Sequence, residues 1–185
     1  MSELEMKIMT FGRPEEIRLL RISDESTNRM NEFMIDQWNS VVKPGDIIYH
    51  LGDIFLGKSV EDAKRIKNRL NGTIRLVLGN HDGLASCMRS NFDWIKDYYL
   101  LRVRKEEEEP QKIALFHYAL RTWDGSHRKS WSLFGHSHGT LQDDPYLLSL
   151  DVGVDCHNFL PISYEDIKEK MESKRIREKE TDERP

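Results

Sequence analysis

Hydrophobic and polar positions switch between two periods along this chain, and the switches mark its elements. Over 25–41, Met30, Phe33, Met34, Trp38 and Val41 recur at helical spacing, and Pro44-Gly45 closes the segment. A second helical stripe, Val60, Ala63, Ile66 and Leu70, runs through 59–70 and ends at the turn pair Asn71-Gly72. Around these helices lie short β-rich runs at 6–11, 47–51 and 73–78, then at 98–104, 112–116, 131–134 and 147–152. From Ser163 onward, SYEDIKEKMESKRIREKETDERP has a capped start and a helical mix of charges, then loses its apolar residues, so a helix with a fraying end is expected. The block KEEEEP at 105–110 is read as a solvated hairpin tip. Strands alternating with helices predict an α/β layered domain, with no internal repeat and no linker that would split it.

Composition narrows the picture. A chain of 185 residues fits one domain and can bury a core without disulfides. Cys87 and Cys156 stand far apart and outside any C-x-x-C spacing, which argues against a thiolate zinc site and suits a reducing compartment. No apolar run approaches the roughly 18 residues of a membrane span. The opening MSELEMKIMTF is short and acidic for a secretory signal, so a cytoplasmic protein with no membrane partner is expected. A net charge of −4 lacks the basic surplus that gripping a long nucleic acid by its phosphates requires, although a local basic pocket stays open.

Candidate chemistry gathers at strand ends. IIYHLGD brings Asp53, IRLVLGNHD brings Asn80, His81 and Asp82, KIALFH brings His117, and LFGHSHG brings His136 and His138. Strand ends are where open α/β sheets build sites, because strands fix position while loops supply freedom. On an extended backbone His136 and His138, two apart, face the same side and can converge on one ion, with glycines letting the chain turn around it. Singly, each residue has a plainer explanation: Asp53 a turn former, Asn80 a left-handed turn residue beside Gly79, His117 a satisfied core histidine, and the H-x-H a polar turn. Together, carboxylate, amide oxygen and imidazole make a donor set suited to Mn, Fe, Zn or Ni, whereas calcium would call for more oxygens and structural zinc for thiolates.

Four motifs in order, GD at 52–53, GNHD at 79–82, His117 in FHY and GHSHG at 135–139, resemble the calcineurin-like metallophosphoesterases. NSVVKPGDIIYHLGD and HYALRTWDGSHRKSWSLFGHSHG resemble the small stand-alone bacterial and phage members, and the similarity runs from about Met30 to Ile167. The resemblance implies a four-layer α/β/β/α sandwich of two mixed sheets flanked by helices. It would form a single domain over 1–168, with 169–185 as a charged C-terminal helix end. It also implies two divalent cations bridged by Asp53, one held by Asp53, Asn80, His117 and His136 and the other by Asp53 and His138. His81 matches the histidine that contacts the phosphate and assists the leaving group, which makes Asp53 and His81 the catalytic residues. The implied activity is hydrolysis of a phosphomonoester or small phosphodiester through a metal-bridging hydroxide. Two cations about 3.5–4 Å apart lower the pKa of a shared water and stabilise charge in an in-line displacement. Asn80 adds a neutral oxygen, and His81, beside a ligand without being one, can donate a proton to the departing oxygen. Arg121 and His127, in the loop between His117 and GHSHG, are candidates with Asn80 for touching the anion, each as readily a solvated surface residue.

In one place the chain departs from the pattern. The family opens with D-x-H directly after its first strand, completing the second cation's shell, whereas here KIMTF runs straight into Gly12-Arg13-Pro14. Ile22-Ser23-Asp24 offers a partial match, with Ser26 where a histidine is needed. One well-held cation and one weakly held cation are therefore expected. The alternative is a non-catalytic metal-binding or ligand-binding relative.

Overall fold

The β-rich runs pair into two sheets in the computed structural model, which describes residues 6–10, 24–57, 59–104 and 109–182, with Asp24 and 175–182 as backbone alone. In the first sheet β1 (Met6–Met9), β2 (Ile47–His50), β3 (Thr73–Val77) and β4 (Trp94–Lys96) run parallel, and β9 (Ile162–Ser163) joins β1 antiparallel, giving the order β4-β3-β2-β1-β9. The second sheet has the order β5-β6-β7-β8, from β5 (Tyr99–Val103), β6 (Gln111–Leu115), β7 (Trp131–Phe134) and β8 (Ser149–Asp151). There β5 and β6 form an antiparallel hairpin and the remaining pairs are parallel. Four helices accompany the sheets among the described residues: α1 (Asp24–Val41), α2 (Val60–Lys67), α3 (Gly83–Cys87) and α4 (Tyr164–Asp182).

Alternation along the first sheet divides the core in two. Ile8, Tyr49 and Val77 pack against Leu101, Ile113, Leu115, Trp131 and Leu133 of the second sheet, together with Tyr164, Ile167 and Met171 of α4. Met9, Ile48, Ile74, Leu76 and Ile95 face the other way, onto Met34, Ile35 and Trp38 of α1, Ala63 of α2 and Ala85 of α3. With both faces covered, the central strands must be apolar at nearly every position, which is why their runs look continuous rather than alternating. Two mixed sheets packed face to face and flanked by helices make the α/β sandwich expected from the sequence.

Local chemistry sets the element ends. Ser59 caps α2 by accepting the Asp62 amide at 3.1 Å, so the predicted helix over 59–70 begins one residue later and its regular part ends at Lys67. The C-terminal end of α1 is tied to the turn before β3: Trp38 Nε1 donates to the Asn71 carbonyl at 2.9 Å and the Asn71 amide donates to Asn39 Oδ1 at 2.9 Å. The strand expected over 147–152 shortens to Ser149–Asp151. β4, β9 and α3 were not legible in the sequence, being too short for a period to show. Asp24 opens α1. The rest of the gap region after Thr10, including the Phe11–Gly12 junction, lies outside the described residues, as do 105–108 of the expected hairpin tip.

Two features bear on the domain's limits. Met171 is fully buried, and Lys174, 5% exposed, donates to Asp143 Oδ1 at 2.5 Å and to the Ser149 carbonyl at 2.6 Å, so α4 remains packed beyond 168. Among the described residues no helix is long and apolar enough to cross a membrane.

Candidate metal centre

The carboxyl ends of the parallel strands in both sheets meet at one place. Thr10, just past β1, makes a parallel bridge to Gly153, just past β8, and its hydroxyl donates to the Gly52 carbonyl at 3.0 Å. This bridge joins the first sheet to the second, and the loops after β2, β3, β6 and β7 gather beside it.

Asp53, Asn80, His117 and His136 come together there. The donor atoms of Asp53, His117 and His136 all lie within 4.8 Å of one another. His117 Nε2 sits 2.9 Å from Asn80 Oδ1, 3.2 Å from His136 Nδ1 and 3.5 Å from Asp53 Oδ2. His117 is fully buried, and its Nδ1 donates to the Leu51 carbonyl at 2.7 Å. That bond commits the ring's proton to Nδ1 and turns the Nε2 lone pair toward an amide oxygen and a carboxylate oxygen. A carboxylate, an amide oxygen and two imidazoles gathered in this way fit the divalent ion that their chemistry suggests.

Loop geometry explains the glycines. Asp53 has φ 59° and follows Gly52 at φ 99°, a left-handed pair that swings the carboxylate back over the sheet edge. A Cβ on Gly52 would lie 2.5 Å from the Gly79 amide nitrogen, and one on Gly79 would strike Asp53 Oδ1, so the two loops cross with room for hydrogen alone. Asp82 locks the crossing. Its Oδ2 accepts the Asp53 amide at 2.8 Å and the Gly79 amide at 2.8 Å, and its Oδ1 accepts the Ile54 amide at 2.9 Å. Burial raises the Asp82 carboxyl above the ordinary carboxylate range, against the pull of these three donors. The sequence offers Asp82 as a possible ligand; in the structure its carboxylate is occupied by backbone amides, as a brace for the loop that carries Asp53.

His81 and His138 stand apart from the four donors. The His81 amide donates to Asp53 Oδ1 at 2.9 Å while its side chain is exposed on the rim. The expectation that His136 and His138 converge from an extended backbone is corrected: they have φ 64° and 48°, and the left-handed turn sends only His136 into the cluster. Side chains two apart share a side only in a strand, and β7 ends at Phe134, before the first of them. His138 Nδ1 lies instead 2.7 Å from Asp155 Oδ2. Arg121 and His127 are exposed in the loop after β6, and no hydrogen bond among the described residues ties either to the cluster.

Three nearby features went unread in the sequence. His50, at the end of β2, is fully buried, accepts the Gly52 amide on Nδ1 at 3.2 Å and is pushed down to about 3 by burial and the neighbouring His117. Asp155 lies in D-V-G-V-D at 151–155, a strand-end acidic pair that was the available signal for it. Tyr118 packs edge-on against His117 (centroids 4.9 Å) and His136 (4.7 Å), and Phe116 and Tyr98 continue this aromatic rim.

No family model matches the sequence. The chain is 29% identical over 162 residues to an uncharacterized protein of Methanocaldococcus jannaschii, MJ1445, spanning 82% of this chain and 80% of that one. The crystal structure of AQ665, a protein of unknown function from Aquifex aeolicus, matches with a TM-score of 0.64 at 21% identity, over 89% of this chain and 98% of that one. That likeness shows a shared fold.

Proposed function

We propose that this protein is a metal-dependent phosphoesterase of the calcineurin-like kind, acting on a phosphomonoester or small phosphodiester. The observation that carries the reading is the convergence of Asp53, Asn80, His117 and His136 from four strand ends, with the His117 proton committed to Leu51. Divalent cations, when bound, would supply the positive charge that polarises a phosphoryl oxygen and stabilises the transition state.

The remaining work falls to side chains. Asp53 contributes the negative charge, fixed by the His81 amide on Oδ1. Asn80 contributes an oxygen without charge. His81, exposed beside Asp53, donates a proton to the departing oxygen. Tyr118 covers one side of both imidazoles and limits water there. The second reading, a non-catalytic metal-binding protein, is favoured by the sequence alone, because KIMTF is not followed by D-x-H.

The test removes His117. After dialysis against a weak chelator the native chain should retain a divalent metal and hydrolyse p-nitrophenyl phosphate or its bis ester with added Mn²⁺, and His117→Ala should lose both. Stoichiometric metal in His117→Ala refutes the ligand assignment. Metal uptake by the native chain without hydrolysis of either ester favours the second reading.

A further inference from the structure

We infer that Asp155 is the positioning residue for His138, setting its tautomer and orientation as a ligand of the second cation that the family resemblance implies. The inference rests on the metal-centre reading above. His138 Nδ1 lies 2.7 Å from Asp155 Oδ2; the imidazole side chain is 42% exposed and the carboxylate only 12%. With the proton held on Nδ1, Nε2 is the ring's one ligating nitrogen. A carboxylate on the far nitrogen of a ligating histidine fixes its tautomer and orientation and raises its basicity.

More than the ring is fixed. Asp151 Oδ2 accepts from Ser137 Oγ at 2.5 Å and from the Gly139 amide at 3.2 Å, so it grips the residues on either side of His138. Asp151 Oδ1 accepts the Gly153 amide at 2.8 Å. A Cβ on Gly153 would approach Asp155 Oδ1 to 2.7 Å and Asp151 Oδ1 to 3.0 Å, so both carboxylates crowd the same backbone. Gly153 is also the residue bridged to Thr10, which docks this turn on the end of β1. Beyond that end the family pattern would supply D-x-H and this sequence does not. One carboxylate thus holds the half-exposed ring while a second holds the backbone on either side of it.

Stepwise cation titration of the metal-free full chain tests this, with Mn²⁺ followed by calorimetry and Co²⁺ by its visible absorption. The native chain should show a tight first step and a weaker second one. Asp155→Ala should weaken the second step by about 10–100-fold, the usual effect of losing such a partner, and leave the first step and the metal-free melting temperature unchanged. Asp155→Asn should fall between, because its amide oxygen still accepts from Nδ1 without the charge. The inference is overturned if Asp155→Ala keeps the native second step, or if it weakens both steps together and lowers the melting temperature, which would make Asp155 a structural residue. A native chain that takes up no cation at the first step overturns the metal-centre reading itself, and this inference with it.

Discussion

Replacing Asp82 by alanine removes the brace between the two loops that cross beneath the candidate centre. Three backbone amides, of Asp53, Ile54 and Gly79, lose acceptors now at 2.8, 2.9 and 2.8 Å, and the side chain is only 3% exposed as a residue, so solvent does not replace them freely. Each buried donor left without a partner costs about 1–3 kcal/mol. A simple sum of about 3–9 kcal/mol overstates the loss, because a water entering the vacated space can satisfy one or two of the amides. Losing the carboxylate also removes a charge that burial disfavours, as its raised pKa indicates. The net expectation is about 3 kcal/mol, a large share of the roughly 5–15 kcal/mol that stabilises a typical domain. Urea unfolding of metal-free protein at neutral pH measures it. Asp62→Ala serves as a control, since it loses an ion pair with Arg65 whose side chains are 67% and 63% exposed, and should stay within about 0.5 kcal/mol of the native chain. Because the Asp53 amide is one of the three donors, cation uptake should weaken as well. An Asp82→Ala chain within about 1 kcal/mol of native stability, with native metal affinity, would refute the reasoning.

Two further outcomes are expected. Burial and His117 hold His50 at about 3, below the roughly 6.5 of an unfolded histidine, so between those values the unfolded chain binds a proton that the folded chain refuses. The contribution is fully present above the unfolded value and is lost as pH falls, by about 1.4 kcal/mol per pH unit, levelling off near pH 3. Urea midpoints between pH 7 and 5 should therefore drop more steeply in the native chain than in His50→Gln, and equal slopes would exclude His50 as a source. His81→Ala should keep its metal and lose about 10²-fold or more in hydrolysis, with the smaller loss on p-nitrophenyl phosphate, whose leaving group needs little protonation. Equal losses on p-nitrophenyl and alkyl phosphates would remove His81 from the acid role.

The sequence by itself determined the parts whose physics is local. Helical spacing placed α1 and α2, and short β-rich runs placed β2 and β3. The residue types at their ends were legible for the same reason, since a strand followed by Gly-Asp or Gly-Asn fixes what a loop can offer. Only the tertiary structure decided which of those groups meet. The bond that orients His117 spans 66 residues, to Leu51, and the bonds by which Asp82 braces Asp53 and Ile54 span 29 and 28. Neither follows from any period along the chain: the first depends on how the two sheets meet, and the second on how the loops after the neighbouring strands β2 and β3 cross. The separate fates of His136 and His138 have a similar cause: one left-handed turn, held by Asp151 from the neighbouring strand, sends two histidines with one residue between them to different partners. His50 is invisible in sequence because nothing local distinguishes a buried neutral imidazole from an exposed one. Its proton affinity is set by the layers that close over it.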